Sequence, residues 1–155
     1  MDFTMKDVEQ EVRRLVRENP DFIYGQQDLE SVDQTGTCSY LAGVTEQDFA
    51  YAKKVGFLQD NISFEEAIES GTVGKPCIVG QALQNLGVSR EWLSDFEGNS
   101  AQFVVGSLGL EPGGVNGIAF SLWLDAVQGG QDSNLTWKTS LVDADEEYGV
   151  ELNRA

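Results

Sequence analysis

Asn116-Gly117-Ile118-Ala119-Phe120-Ser121-Leu122-Trp123-Leu124-Asp125-Ala126-Val127-Gln128 is the stretch on which the fold turns. Its apolar residues fall on nearly every side of a 3.6-residue turn, and a helix that is apolar all round belongs inside a core. Asn116 stands where a helix cap belongs, so the spacing predicts a helix over 117–128, broken by Gly129-Gly130. Beyond the break, Thr136 opens a last helix carrying Trp137, Leu141, Ala144 and Tyr148, and Gly149 is placed to close it.

Upstream the pattern is helical and often punctuated. Pro76 suits a first helical position, Ile78, Val79, Ala82, Leu83 and Leu86 form one stripe, and Gly87 fits a left-handed cap. Ser89 opens a short helix with Trp92, Leu93 and Phe96 inward, ending at Gly98. Residues 101–108 fit either a helix, with Ala101, Val104, Val105 and Leu108 on one face, or a strand through Phe103-Val104-Val105.

Nearer the N-terminus, Val8, Val12, Leu15 and Val16 recur at helical spacing. Thr4 with Asp7 reads as a capping box, Asn19-Pro20 as the stop, and Glu9 to Arg13 and Arg14 to Glu18 as i,i+4 ion pairs on the outer face. Phe22-Ile23-Tyr24 and Thr37-Cys38-Ser39-Tyr40-Leu41-Ala42 read as short strands around the turn Gln34-Thr35-Gly36. Residues 45–59 fit both periods, with helix preferred, and Ser63 with Glu66 opens another helix ended by Gly71. No linker divides the chain. The expectation is one α+β domain over 1–155, mostly helical, with a small antiparallel β element in the N-terminal third.

Ten basic residues against 26 acidic ones leave a net charge of −16, spread along the chain, and there is no histidine. Histidine-based triads, dyads, metal centres and pH switches are therefore excluded. The negative field repels phosphate backbones and anionic headgroups, which argues against direct nucleic-acid or membrane binding and toward a protein partner with a basic surface. Met1-Asp2-Phe3-Thr4-Met5-Lys6-Asp7 lacks the basic start and apolar run of a signal peptide, and the two cysteines suggest no disulfide framework, so a cytoplasmic address is expected.

Cys77, beside Lys75 at the start of a helix, is a candidate reactive thiol, since a dipole and a cation both favour thiolate; a buried, inert cysteine is the structural alternative. Asp125, alone in the apolar helix, is the candidate for a carboxylate activated by burial, and Gln128, Gln131 and Asp132 after it suggest instead a polar stripe. Gly71-Thr72-Val73-Gly74-Lys75-Pro76 lacks phosphate-loop spacing, and the Asp132, Asn134, Thr136, Asp143 series has Trp137 where a calcium loop needs glycine; no cofactor or metal is called for. Asp143, Asp145, Glu146 and Glu147 form the densest acidic run, placed in the last turns of the final helix, where negative charge opposes the dipole. They are the candidate partner-binding residues.

Pro76-Cys77-Ile78-Val79-Gly80-Gln81-Ala82-Leu83 with Leu86-Gly87-Val88, and the later Gln128, Gln131-Asp132 and Thr136-Trp137, resemble short uncharacterised proteins of actinobacteria and their phages. The resemblance implies a phage accessory gene acting in a host cytoplasm and brings no activity or site residues. The expectation is a non-enzymatic acidic binding or regulatory protein. The alternatives are a nucleic-acid mimic that inhibits a DNA- or RNA-binding protein, a small enzyme using Asp125 or Cys77, and a virion or oligomer component.

Overall fold

The computed structural model describes residues 2–24, 39–42, 46–56, 61–70 and 75–154. Thr4 Oγ1 accepts the Asp7 backbone N–H at 3.2 Å and the Asp7 carboxylate accepts the Thr4 N–H at 2.7 Å, the reciprocal pair that opens α1 (Met5–Glu18). α1 buries Val8, Val12, Leu15 and Val16 and ends at Asn19, before Pro20. Glu9 departs from the expected outer face: it is buried, held by Lys6 and Arg13.

The ambiguous 45–59 stretch is helical over α2 (Glu46–Lys54) and turns at 55–56, with Phe49 and Ala52 inward; Leu58 lies outside the described residues. The Ser63 hydroxyl accepts the Glu66 N–H at 3.0 Å and opens α3 (Phe64–Ser70). α4 (Ile78–Asn85) starts later than Pro76 suggested, with Cys77 as N-cap, and Gly87 follows it at φ +103°, the left-handed conformation glycine tolerates. Ser89 and Ser100 cap α5 (Arg90–Ser94) and α6 (Ala101–Leu108), which settles 101–108 as helix.

α7 (Gly117–Asp132) and α8 (Trp137–Leu152) form an antiparallel hairpin at the centre, with Phe120, Trp123, Leu124 and Val127 fully buried. Two predicted helix stops are corrected here. Gly129-Gly130 does not break α7: Gly130 faces Ser140, and a Cβ there would stand 2.7 Å from Ser140 Oγ, so glycine serves close packing of the two helices. Gly149 does not close α8, which runs on to Leu152; Asn153 follows as cap and donates its side-chain amide to the Gly149 carbonyl.

The larger correction is to fold class. Among the described residues there is no strand; the domain is all helical, not α+β. The two segments read as strands hand their backbone groups to helix ends instead of to a ladder. Pro20 and Phe22 carbonyls accept the Lys138 and Trp137 N–H groups that open α8, and the Ser39 carbonyl accepts the Cys77 N–H at 2.9 Å. The Tyr24 hydroxyl takes the Ser39 N–H and donates to the Ala42 carbonyl. Apolar alternation over 22–24 and 39–42 thus reports burial of irregular chain, with Phe22 against Trp137 at 4.6 Å between ring centroids. Thr37, Cys38 and the turn Gln34-Thr35-Gly36 lie outside the described residues.

Residues 39–42 lie directly on α4. A Cβ added at Gly80 would come 2.6 Å from the Tyr40 carbonyl oxygen and 2.7 Å from its Cα, backbone that has no rotamer with which to yield. Gly80→Ala should therefore cost about 1–3 kcal/mol of unfolding free energy, the usual range for overpacking. Urea denaturation measures it. A loss near zero would mean that this segment is not seated on α4.

Candidate functional site

Asp125, Gln128 and Gln131 recur at three-residue spacing on α7, and Asp132 extends the stripe. The first three reach N–H groups that open two other helices. Gln128 Oε1 accepts the Ala101 N–H at 2.8 Å and Asp125 Oδ1 the Gln102 N–H at 2.8 Å, both in the first turn of α6. Gln131 Oε1 accepts the Ile78 N–H at 2.7 Å, at the start of α4. That helix needs it, because its N-cap, Cys77, makes no side-chain capping bond.

Gln128 Nε2 then donates to the Tyr40 hydroxyl at 3.3 Å, and that hydroxyl donates to the Asn99 carbonyl. Glu97 grips the same segment: its carboxylate accepts the Ser39 hydroxyl and the Tyr40 N–H. Burial pushes Tyr40 up to about 12 and raises Glu97 above the ordinary carboxylate range, its two hydrogen bonds only partly offsetting the desolvation.

Over these contacts opens a cleft of about 450 Å³, lined by the 98–100 loop on one wall and by Asp125, Gln128, Gly129 and Asp132 of α7 on the other. Its size is that of a small-ligand site. Asp132 is its most perturbed acid: burial lifts it to about 6 against the Gln131 amide, which donates to Oδ1 at 3.0 Å and favours the charged form.

Each residue singled out in the sequence can now be placed. Asp125 lines the cleft and is partly exposed, but one of its oxygens is occupied as a cap for α6, the favourable place for a negative charge near a helix N-terminus. Cys77 is fully buried and disulfide-bonded, so the reactive-thiol candidate is corrected; the other cysteine, Cys38, lies outside the described residues.

The acidic run of α8 divides. Asp145 turns inward, where it takes a bidentate bond from Arg13 at 2.8 Å on each oxygen and the Trp123 indole N–H at 2.9 Å. Burial opposes its charge, and these donors outweigh burial, so its pKa lies below the usual carboxylate range. Asp145 is structural. Asp143, Glu146 and Glu147 remain exposed, and because α8 continues to Leu152 they sit in mid-helix, outside the terminal turn where the dipole penalty was expected. Glu147 raises the pKa of the neighbouring Tyr148 hydroxyl, and Asp125 adds to the shift.

A second depression, of about 530 Å³, follows the basic residues of α1, and two of these are engaged within the chain. Arg13 is held by Glu9 and Asp145, and Arg14 by Glu11 and Glu18. Among the described residues, no group of three or more His, Cys, Asp or Glu side chains could hold a metal ion, and no helix is long and apolar enough to cross a membrane.

Sequence reasoning missed Asp132, Glu97 and Tyr40 as members of the site. For Asp132 a signal existed, the repeated polar positions of an otherwise apolar helix. Glu97 and Tyr40 carry none, since they meet only across 57 residues of chain. No protein-family model matches this chain, and no curated protein or solved structure matches it.

Two measurements probe this arrangement. Gln131→Leu strands the buried Ile78 N–H and should lower stability by about 1–3 kcal/mol, read from chemical denaturation. Asp132 binds its proton more tightly folded (about 6) than unfolded (3.8), so its contribution is fully present below pH 3.8 and lost as pH rises through 6. Glu97 acts in the same direction and Asp145 in the opposite one. Melting curves between pH 7.5 and 4.5 should therefore show Asp132→Asn flattening part of the wild-type rise in stability on acidification, a difference of up to ~2 kcal/mol over this window that solvent screening at this partly exposed group reduces. Parallel curves for the two proteins would remove the perturbed acid.

Proposed function

We propose that this is a non-enzymatic acidic protein that binds, and so regulates, a macromolecule with a basic surface. The observation that carries the reading is how the charge is spent. Arg13, Arg14 and Arg90 are tied to the protein's own carboxylates, whereas Asp143, Glu146 and Glu147 stand exposed along one helix. An exterior so negative steers cationic partners and repels anionic ones.

A DNA- or RNA-binding protein is one such partner, which keeps mimicry of nucleic acid within this reading. An origin in actinobacteria or their phages, with action in a host cytoplasm, is proposed from the sequence resemblance alone. The disulfide at Cys77 weighs against a reducing compartment, where thiols stay reduced. A second reading, carboxylate acid-base chemistry on a small substrate, is favoured by one observation: Asp132, lifted to about 6, shares a cleft with Asp125.

The test of the leading reading is capture from host lysate at low and high salt, with the wild type beside a Asp143→Lys, Glu146→Lys, Glu147→Lys variant. Basic proteins retained at 50 mM salt should be lost at 500 mM and lost with the variant. Equal retention by both proteins, or retention unchanged by salt, contradicts a charge-driven interface.

A further inference from the structure

Trp92, Phe96 and Phe103 form a row of rings, the first two partly buried against the core and the third exposed. Trp92 stacks on Phe96 at 4.1 Å between centroids with 26° between planes, and Phe96 meets Phe103 at 6.0 Å. Phe103 is 55% exposed, and the other two are partly exposed. Hydrophobic clustering alone accounts poorly for a ring left this open on the first turn of α6, where any polar residue would serve.

Glu91 and Asp95 are exposed on and just after α5, and the loop that joins Phe96 to Phe103 is the same loop that walls the cleft opposite Asp125 and Asp132. The cation of α5, Arg90, is engaged by Glu65 and Glu69, at 3.1 and 3.5 Å. Exposed aromatic faces fringed by carboxylates attract a planar cation in two ways: through the ring quadrupole, and through charge-assisted hydrogen bonds to the carboxylates. Arginine satisfies both, and lysine, a compact and strongly hydrated charge, does so less well.

From this geometry we infer that the aromatic row and the adjoining acidic cleft form a docking surface for an arginine-bearing segment of a basic protein. Guanidinium groups stack on Phe103 and Trp92 while Glu91, Asp95 and Asp132 take their N–H donors. The inference rests on the reading of the protein as an acidic binder and names the chemistry of its partner. The charge complementarity also disfavours a second copy as the occupant, since that copy brings a further net charge of −16.

Tryptophan fluorescence reads this surface directly, because Trp123 and Trp137 are buried and Trp92 is partly exposed. The full chain is titrated at 50 mM salt with a twelve-residue peptide of alternating glycine and arginine, and with its lysine counterpart of equal charge. The arginine peptide should give a saturable change in Trp92 emission and bind about five-fold tighter than the lysine peptide. Phe103→Ala, and separately Glu91→Gln with Asp95→Asn, should each weaken it by a similar factor, with circular dichroism showing an unchanged helical fold. Equal binding of both peptides, insensitive to these substitutions, overturns the docking surface and leaves the acidic-binder reading standing. Failure of both peptides to bind at low salt overturns the docking surface and the acidic-binder reading together. Emission that shifts with protein concentration alone means that a second copy covers the row, and also overturns the proposal.

Discussion

An eight-residue helix exposes as many unsatisfied N–H groups at its start as it satisfies along its length, so α4 and α6 cannot be buried at that end without acceptors from elsewhere. α7 supplies them. Asp125 and Gln128 take two N–H groups of α6 and Gln131 takes one of α4, so one turn-by-turn stripe on the central helix fixes where both neighbours begin. Gln128 and Gln131 are buried in an apolar helix, a costly placement that these bonds compensate. The rest follows from that placement. Once α4 is positioned, residues 39–42 can settle on Gly80, and once α6 is positioned, the loop before it can close over α7 and form the cleft.

A second set of contacts holds the opposite side. Arg13 spans from Glu9 on its own helix to Asp145 on α8, and its guanidinium lies 5.2 Å from the Trp123 ring, whose indole N–H also goes to Asp145. A carboxylate with three donors of this kind is a charge the interior can tolerate, which is why one member of an otherwise solvent-facing acidic run turns inward. The remaining carboxylates of the run, Asp143, Glu146 and Glu147, stay exposed.

Much of the helical framework was legible in the residues. Thr4 and Asp7, Ser63, Ser89, Asn116 and Thr136 all cap where their spacing placed them, and Gly87 adopts the left-handed conformation expected after a helix. The site was legible only in part. The polar stripe after Asp125 was visible, but its role as a set of caps for other helices was not, and Asp132 gave no sign of its raised pKa without knowledge of what buries it.

What the chain determined by itself is what acts within about a turn: helical periodicity, capping, the unpaired excess of negative charge, and the exclusion of every imidazole-based chemistry. What tertiary structure decided is what acts across the chain. Residues 22–24 and 39–42 are irregular, with the Phe22 and Ser39 carbonyls taken by N–H groups at the starts of α8 and α4, and Gly130 stays helical where Ser140 packs against it. A backbone group pairs with whichever partner burial brings to it, and that partner lies tens of residues away, beyond the reach of any local pattern.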